Sequence, residues 1–303
     1  MGASSFAASM SAACGSGALN RRSARIWYIL LVVAGAVLCG TAVSKTLGKG
    51  LIPVDLVSPK VVLVILIAAS ASIFSANLMQ VPQSTSLSTV SAICGIGLYY
   101  SQLNYEKIYF LAGSWVATTA ISFLLMFLAM RLMYPPRNRN FWIYEKIVQH
   151  QNRLKQFVVL SSFYKAFAQG TNNVANVVGP LSAAGYVSTT GGLLFMGIIF
   201  GFGSLVLNGP LKTMSERIVP LGMLSATMIN LVAGTVTITA SLLGIPLPAI
   251  IIYTTAVLTI GVIKDGPETT FDNPMTRKTL LTWGVNPLVT LGMSYFLATV
   301  ILK

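Results

Sequence analysis

The chain has 303 residues, of which 54% are hydrophobic and only 9% charged, with a mean hydropathy of +0.75. Soluble domains carry roughly 25% charged residues, so this composition excludes a water-soluble globule and describes a protein solvated mostly by lipid, where ionisable side chains are costly. The formal charge of +13 does not mark a nucleic-acid binder, because the basic residues fill short polar gaps between apolar runs, where membrane proteins keep them.

The chain opens on a small-residue segment, GASSFAASMSAACGSGAL, from Gly2 to Leu19. Uncharged runs follow at Ile26 to Val43, Val61 to Tyr105, Ile108 to Met130, Ala166 to Leu211, Ile218 to Ile263 and Thr279 to Leu302. A membrane helix needs about 20 apolar residues, so the three longest runs are each expected to fold back. The expected fold-back points are VPQSTS at Val81 to Ser86, the stretch Gly170 to Gly179, and GIPLP at Gly244 to Pro248. Between the fourth run and its predecessor, Arg131 to Lys155 holds Arg131, Arg137, Arg139, Lys146, Arg153 and Lys155 against one acid, Glu145. The positive-inside bias places this central loop (131–155) in the cytoplasm and divides the chain into a first repeat (1–130) and a second (156–303).

The ionisable inventory is as informative by what it lacks. Cys14, Cys39 and Cys94 have no pair spacing, His150 is alone in a polar loop, and Asp55, Glu106, Glu145, Glu216, Asp265, Glu268 and Asp272 all lie in the gaps. No metal or other cofactor is expected from such a set. A membrane enzyme is disfavoured for the same reason, since a nucleophile needs a base or metal beside it.

The two halves resemble each other. Gly2-Ala3-Ser4-Ser5-Phe6-Ala7-Ala8 sets against Gly170-Thr171-Asn172-Asn173-Val174-Ala175-Asn176, Val43 to Pro53 against Leu211 to Pro220, and Val81-Pro82 against Ile245-Pro246. Internal repeats with interrupted helices in equivalent places are the sequence sign of a secondary transporter, whose site lies at the repeat interface. An apolar stretch, Phe157 to Ala168, precedes the second copy and none precedes the first, so a first helix is expected to be missing from this chain.

Candidate ligand groups cluster at those interruptions. Gly170 and Thr171 followed by Asn172, Asn173 and Asn176 fit a helix broken inside the membrane, where Asn caps a half-helix and freed N–H groups hold an anion. Ser4 and Ser5 occupy the equivalent place in the first half. Pro82 removes one helical hydrogen bond, and Ser84, Thr85 and Ser86 supply hydroxyls that either repair the backbone or face a ligand. The second hairpin, GIPLPAII, has no such hydroxyls, so the site is expected to be asymmetric. Lys165 is the only charge between Gln156 and Leu211; it either snorkels to the interface or adds positive potential beside the break.

At these residues the sequence resembles the inorganic phosphate transporter (PiT) family, which carries a G-A-N-D-x-A-N signature in each half and a P-x-S-T-T-H-type hairpin after it. Here the signatures read GASSFAAS and GTNNVANVVGPLSAA, and the hairpins VPQSTSLSTV and GIPLPAIIIYTTAV. The resemblance implies an all-α polytopic membrane protein of two inverted-topology repeats, with broken signature helices and re-entrant helical hairpins. It further implies a homodimer in a lipid bilayer, multi-pass in the cell membrane. The family's signature aspartates are replaced by Ser5 and Asn173, and the hairpin histidine is absent. Sulfate can only accept hydrogen bonds, whereas phosphate near neutral pH still donates one, so a site of amides and hydroxyls without a carboxylate suits sulfate. The chain is similar in this to the CysP-type sulfate permease branch, which implies proton-coupled uptake of inorganic sulfate, with sodium the alternative coupling ion. Rival readings are a phosphate transporter on the same scaffold and a relic that no longer transports.

Overall fold

The computed structural model describes residues 1–136, 138–205 and 222–303, with the side chains at 147 and 148 excepted. Among them there is helix but no strand. The first half runs α1 (Gly2–Gly15), α2 (Arg21–Cys39), α3 (Thr41–Lys45) with a π-turn at Thr46–Gly50, α4 (Pro59–Leu78), α5 (Thr85–Tyr99) and α6 (Tyr105–Met133). A short helix, α7 (Phe141–Gln149), lies between the halves. The second half runs α8 (Gln151–Asn173), α9 (Ala175–Ala183), α10 (Thr189–Phe202), α11 (Met223–Leu242), α12 (Ala249–Asp265), α13 (Pro267–Asp272) and α14 (Pro274–Ile301).

Local chemistry sets where these helices begin. Asn20, Ser58, Ser84, Asn104, Ser188 and Asn273 each accept a hydrogen bond from a first-turn N–H of α2, α4, α5, α6, α10 and α14. Side-chain oxygens at N-caps satisfy donors that the helix itself leaves orphaned. Pro59 and Pro274 stand in the first turns of α4 and α14, where a missing N–H costs nothing. Among the described residues, α2, α4, α6, α11 and α14 are long and apolar enough to cross a membrane.

Two of the three fold-back points stand where the prolines lie: α4 and α5 are joined through 79–84, and α11 and α12 through 243–248. The second run behaves differently. Gly170 and Thr171 lie inside α8, which continues to Asn173; only Val174, itself in helical conformation (φ −66°, ψ −33°), separates α8 from α9. The expected break at Gly170 and the fold-back at 170–179 are therefore corrected. The chain turns instead between α9 and α10, at Gly185, whose φ of +78° only glycine adopts without strain. Gly170 serves close packing: a Cβ built there would stand 2.1 Å from the Val32 carbonyl oxygen, and one at Gly35 would stand 2.1 Å from that of Phe167. Thus α2 and α8 cross backbone to backbone, as small residues allow in membranes.

The halves interlock by exchange. The first hairpin, α4–α5, packs on α14, the closing helix of the second half, and the second hairpin, α11–α12, packs on α6, the closing helix of the first. Two indoles seal the exchange. Trp283 Nε1 donates to the Pro82 carbonyl at 2.9 Å, and Trp115 Nε1 donates to the Pro246 carbonyl at 2.8 Å. The counterpart proposed for Val43 to Pro53, Leu211 to Pro220, lies outside the described residues.

Candidate functional site

The site forms where the tips of both hairpins meet the junction of α8 and α9. Asn172 sits at its centre with all four side-chain bonds made. Its Oδ1 accepts from Ser86 Oγ at 3.2 Å and from the Leu247 N–H at 2.9 Å; its Nδ2 donates to Ser241 Oγ at 2.9 Å and to the Ile245 carbonyl at 3.0 Å. One amide thus holds the backbone of the second hairpin and a hydroxyl of the first.

Asn176, on the first turn of α9, donates to Thr85 Oγ1 at 3.1 Å and Ser86 Oγ at 3.2 Å. Asn173 Nδ2 donates to Ser5 Oγ on α1 at 2.9 Å and to Gln169 Oε1 one turn earlier on α8. Thr171 Oγ1 donates to Ser241 Oγ at 2.9 Å. These residues are all buried, at 2% exposure or less. Pro180 inside α9 has no N–H, so the Asn176 carbonyl also loses its helical donor.

Not every expected site residue joins this cluster. Ser4 points the other way and donates to Asn77 Oδ1 on α4 at 3.1 Å; adjacent residues on a helix diverge by about 100°. Ser84 is the N-cap of α5, accepting from the Leu87 N–H at 3.3 Å, which is a backbone repair. The asparagines are not N-caps: Val174 precedes α9, and Asn172 and Asn173 end α8. Lys165 does not snorkel. It is fully buried, and its Nζ donates to the Ala233 carbonyl and Thr237 Oγ1 of α11, each at 3.3 Å. From Thr237 the ladder continues to Ser241, whose Oγ donates to the Thr237 carbonyl at 2.8 Å, so Lys165 is linked to the site through α11 and not by contact.

Two features favour negative charge. Helices α5 and α12 both begin at the hairpin tips, and their N-termini carry orphan N–H groups and positive dipole ends. In addition, the six described acids, Asp55, Glu106, Glu145, Asp265, Glu268 and Asp272, are all exposed. Against these stand oxygens without partners. Asn173 Oδ1, Asn176 Oδ1 and Gln83 Oε1 are buried and accept no hydrogen bond from any described residue. No cluster of His, Cys, Asp or Glu able to hold a metal occurs among the described residues.

Several of these partners escaped the sequence reading. Gln169 carried a usable signal, since it stands four residues before Asn173 on one helical face. Ser241 carried none, being one hydroxyl among several on an apolar helix. Trp115 and Trp283 work across the halves, which no local window displays.

Apolar helices of spanning length, interlocked halves and a buried polar site between hairpin tips define a polytopic membrane transporter. The phosphate transporter family model matches residues 1–297, and the chain belongs to that family; it is a multi-pass protein of the cell membrane. It is 33% identical over 305 residues to the sulfate permease CysP of Bacillus subtilis, covering 100% of this chain and 84% of the relative. The chloroplastic inorganic phosphate transporter 2-1 of Arabidopsis thaliana is 29% identical over 140 residues, 43% of this chain and 24% of its own. A solved sodium-dependent phosphate transporter superposes with a TM-score of 0.83 at 24% identity, covering 99% of this chain and 94% of that one. This last likeness speaks for the fold.

Proposed function

We propose that this permease takes up inorganic sulfate by alternating access, between two repeats of opposite orientation. The observation that carries the reading is the convergence of two half-helix N-termini on Asn172 and Asn176, in a buried site built of amides and hydroxyls without a carboxylate. Fully deprotonated sulfate needs only donors; a buried carboxylate repels it and rewards a protonated phosphate. Thr85 and Ser86 hydroxyls, the first-turn N–H groups of α5 and the amides of Asn173 and Asn176 supply donors. A hydroxyl reverses the sense of its bond readily, so the Asn176 amide can turn its N–H₂ to a ligand while Thr85 donates to its oxygen. Lys165 adds long-range positive potential. The name of the Bacillus relative supports the same cargo, and the exchange of hairpins between halves supports an inverted pairing. Proton coupling, a homodimer and a cytoplasmic central segment (131–155) complete the proposal.

A second reading, phosphate with sodium or proton coupling, is favoured by the partnerless oxygens of Asn173 and Asn176. As oriented, they accept a hydrogen bond from a protonated anion or coordinate sodium. Uptake of labelled sulfate and phosphate into proteoliposomes, under proton and sodium gradients in turn, separates the two. Asn173→Asp is the decisive variant: sulfate uptake should collapse while phosphate uptake holds or rises. Sulfate uptake undiminished by that change would end the electrostatic argument.

A further inference from the structure

The transport site leaves the central segment unused, and a groove is built there. Arg131 closes α6 and is followed by a chain that doubles back through α7 into α8. Two tethers fix α7 under the end of α6: Asn140 Nδ2 lies 3.1–3.2 Å from the carbonyls of Leu132, Met133 and Pro135, and the Tyr144 hydroxyl donates to the Met133 carbonyl. These bonds satisfy carbonyls that the end of a helix leaves orphaned, and they stand α7 off from α8 and the start of α11. The resulting groove has a volume of about 520 Å³, inside the roughly 300–1,000 Å³ of small-molecule sites. Its walls include Trp142, Phe157 and Leu224, and its rim carries Lys146, His150 and Arg153, with no acid among its lining residues.

The position decides the ligand. The groove opens where α6 ends and α8 and α11 begin, at one end of the spanning bundle and so at the depth of lipid headgroups. Trp142 and Phe157 are more than half exposed there, and the Lys146 ammonium lies 5.1 Å from the Trp142 ring centroid. Aromatic residues prefer this interface, and an apolar trough with a cationic rim complements an acyl chain beneath an anionic head. We propose that this groove binds one anionic phospholipid from the leaflet facing α7, with Lys146 and Arg153 on the phosphate and the chain along Trp142 and Phe157.

A basic residue near an anionic surface is worth about a fivefold preference, so two give roughly 25-fold. Native mass spectrometry of the full chain, equilibrated with equimolar phosphatidylglycerol and phosphatidylcholine, should show one phosphatidylglycerol retained with about that preference. Lys146→Gln with Arg153→Gln should abolish it. The control pair Lys60→Gln and Lys107→Gln, at the starts of α4 and α6, should leave it intact. Brominated phosphatidylglycerol in nanodiscs should quench a tryptophan signal that Trp142→Phe removes, and brominated phosphatidylcholine should quench it far less. Equal retention of the two lipids, a preference that survives the double substitution, or quenching without headgroup selection would each overturn the proposal.

Discussion

Asn172→Ala offers a quantitative test of how the second hairpin is seated. The change removes the acceptor of the Leu247 N–H and a donor to the Ile245 carbonyl, both backbone groups of a loop buried at membrane depth. A buried backbone group left unpaired costs about 1–3 kcal/mol, so the two together cost about 2–6 kcal/mol. At about 1.4 kcal/mol per tenfold, the seated hairpin loses at least about 30-fold in its equilibrium against an opened one. Hydrogen exchange of peptides covering 243–249 reads this directly, because protection follows the free energy of local opening. The Leu247 amide should exchange at least 30-fold faster in the variant. Asn172→Asp keeps the acceptor, so its Leu247 amide should stay protected even as sulfate uptake falls. Unchanged protection in Asn172→Ala would show that something other than this amide holds the loop, and the central role given to Asn172 would go with it.

Other perturbations probe separate parts of the same construction. Trp283→Phe and Trp115→Phe keep an aromatic ring but withdraw the N–H from Pro82 and Pro246, at about 1–3 kcal/mol each; exchange should quicken at 79–88 in the first and 243–250 in the second, and a change common to both loops would refute the pairing. Gly170→Ala drives a Cβ to 2.1 Å from the Val32 carbonyl and should cost about 1–3 kcal/mol or more by overpacking, seen as a lower melting temperature in detergent; an unchanged value would mean that α2 and α8 do not pack this closely. Lys165→Met removes an amine whose backbone stands about 10 Å along α8 from that of Asn172, from a rise of 1.5 Å per residue. At an effective dielectric of about 20 and that spacing, the protonated amine is worth about 1.7 kcal/mol to a unit anion. The KM for sulfate should therefore rise at least about tenfold with stability held or improved; lost stability with an unmoved KM would make Lys165 structural.

The spans were legible because lipid excludes charge. The uncharged runs from Ile26, Val61, Ile108, Ile218 and Thr279 each contain a helix or hairpin whose ends fall within a few residues of the charges that bound them. Pro82 and Pro246 announced the hairpins because a missing N–H is a local fact. Gly170 misled for a physical reason: glycine is selected equally by a turn and by a close helix crossing, and the sequence does not distinguish them. Gly185, the residue that does turn, has its nearest proline, Pro180, inside α9 and not at the turn. Within the site, hydrogen bonds link Ser5, Thr85, Ser86, Thr171 and the three asparagines directly or through Ser241, since a buried polar residue needs a partner. Ser4 and Ser84 fell away because an oxygen's bearing depends on helical phase and capping. The indoles were invisible because Trp283 and Pro82 are 201 residues apart.

The asymmetry of the hairpins now has a mechanical meaning. Both tips reach the α8–α9 junction, but by different chemistry. The first presents side chains: Thr85 and Ser86 hydroxyls bond to Asn176, and Ser86 also to Asn172. The second, having lost its hydroxyls, presents backbone, and Asn172 engages it through the Leu247 N–H and Ile245 carbonyl. A hydroxyl exchanges partners by rotating one bond, so on the proposed reading an arriving anion replaces Asn176 on Thr85 without moving the main chain. A backbone pair has no such freedom and yields only if the loop moves. The first hairpin is therefore suited to exchange its bonds with a ligand and the second to stay docked, and Asn172, bonded to both, couples any movement of the second tip to the donors of the first.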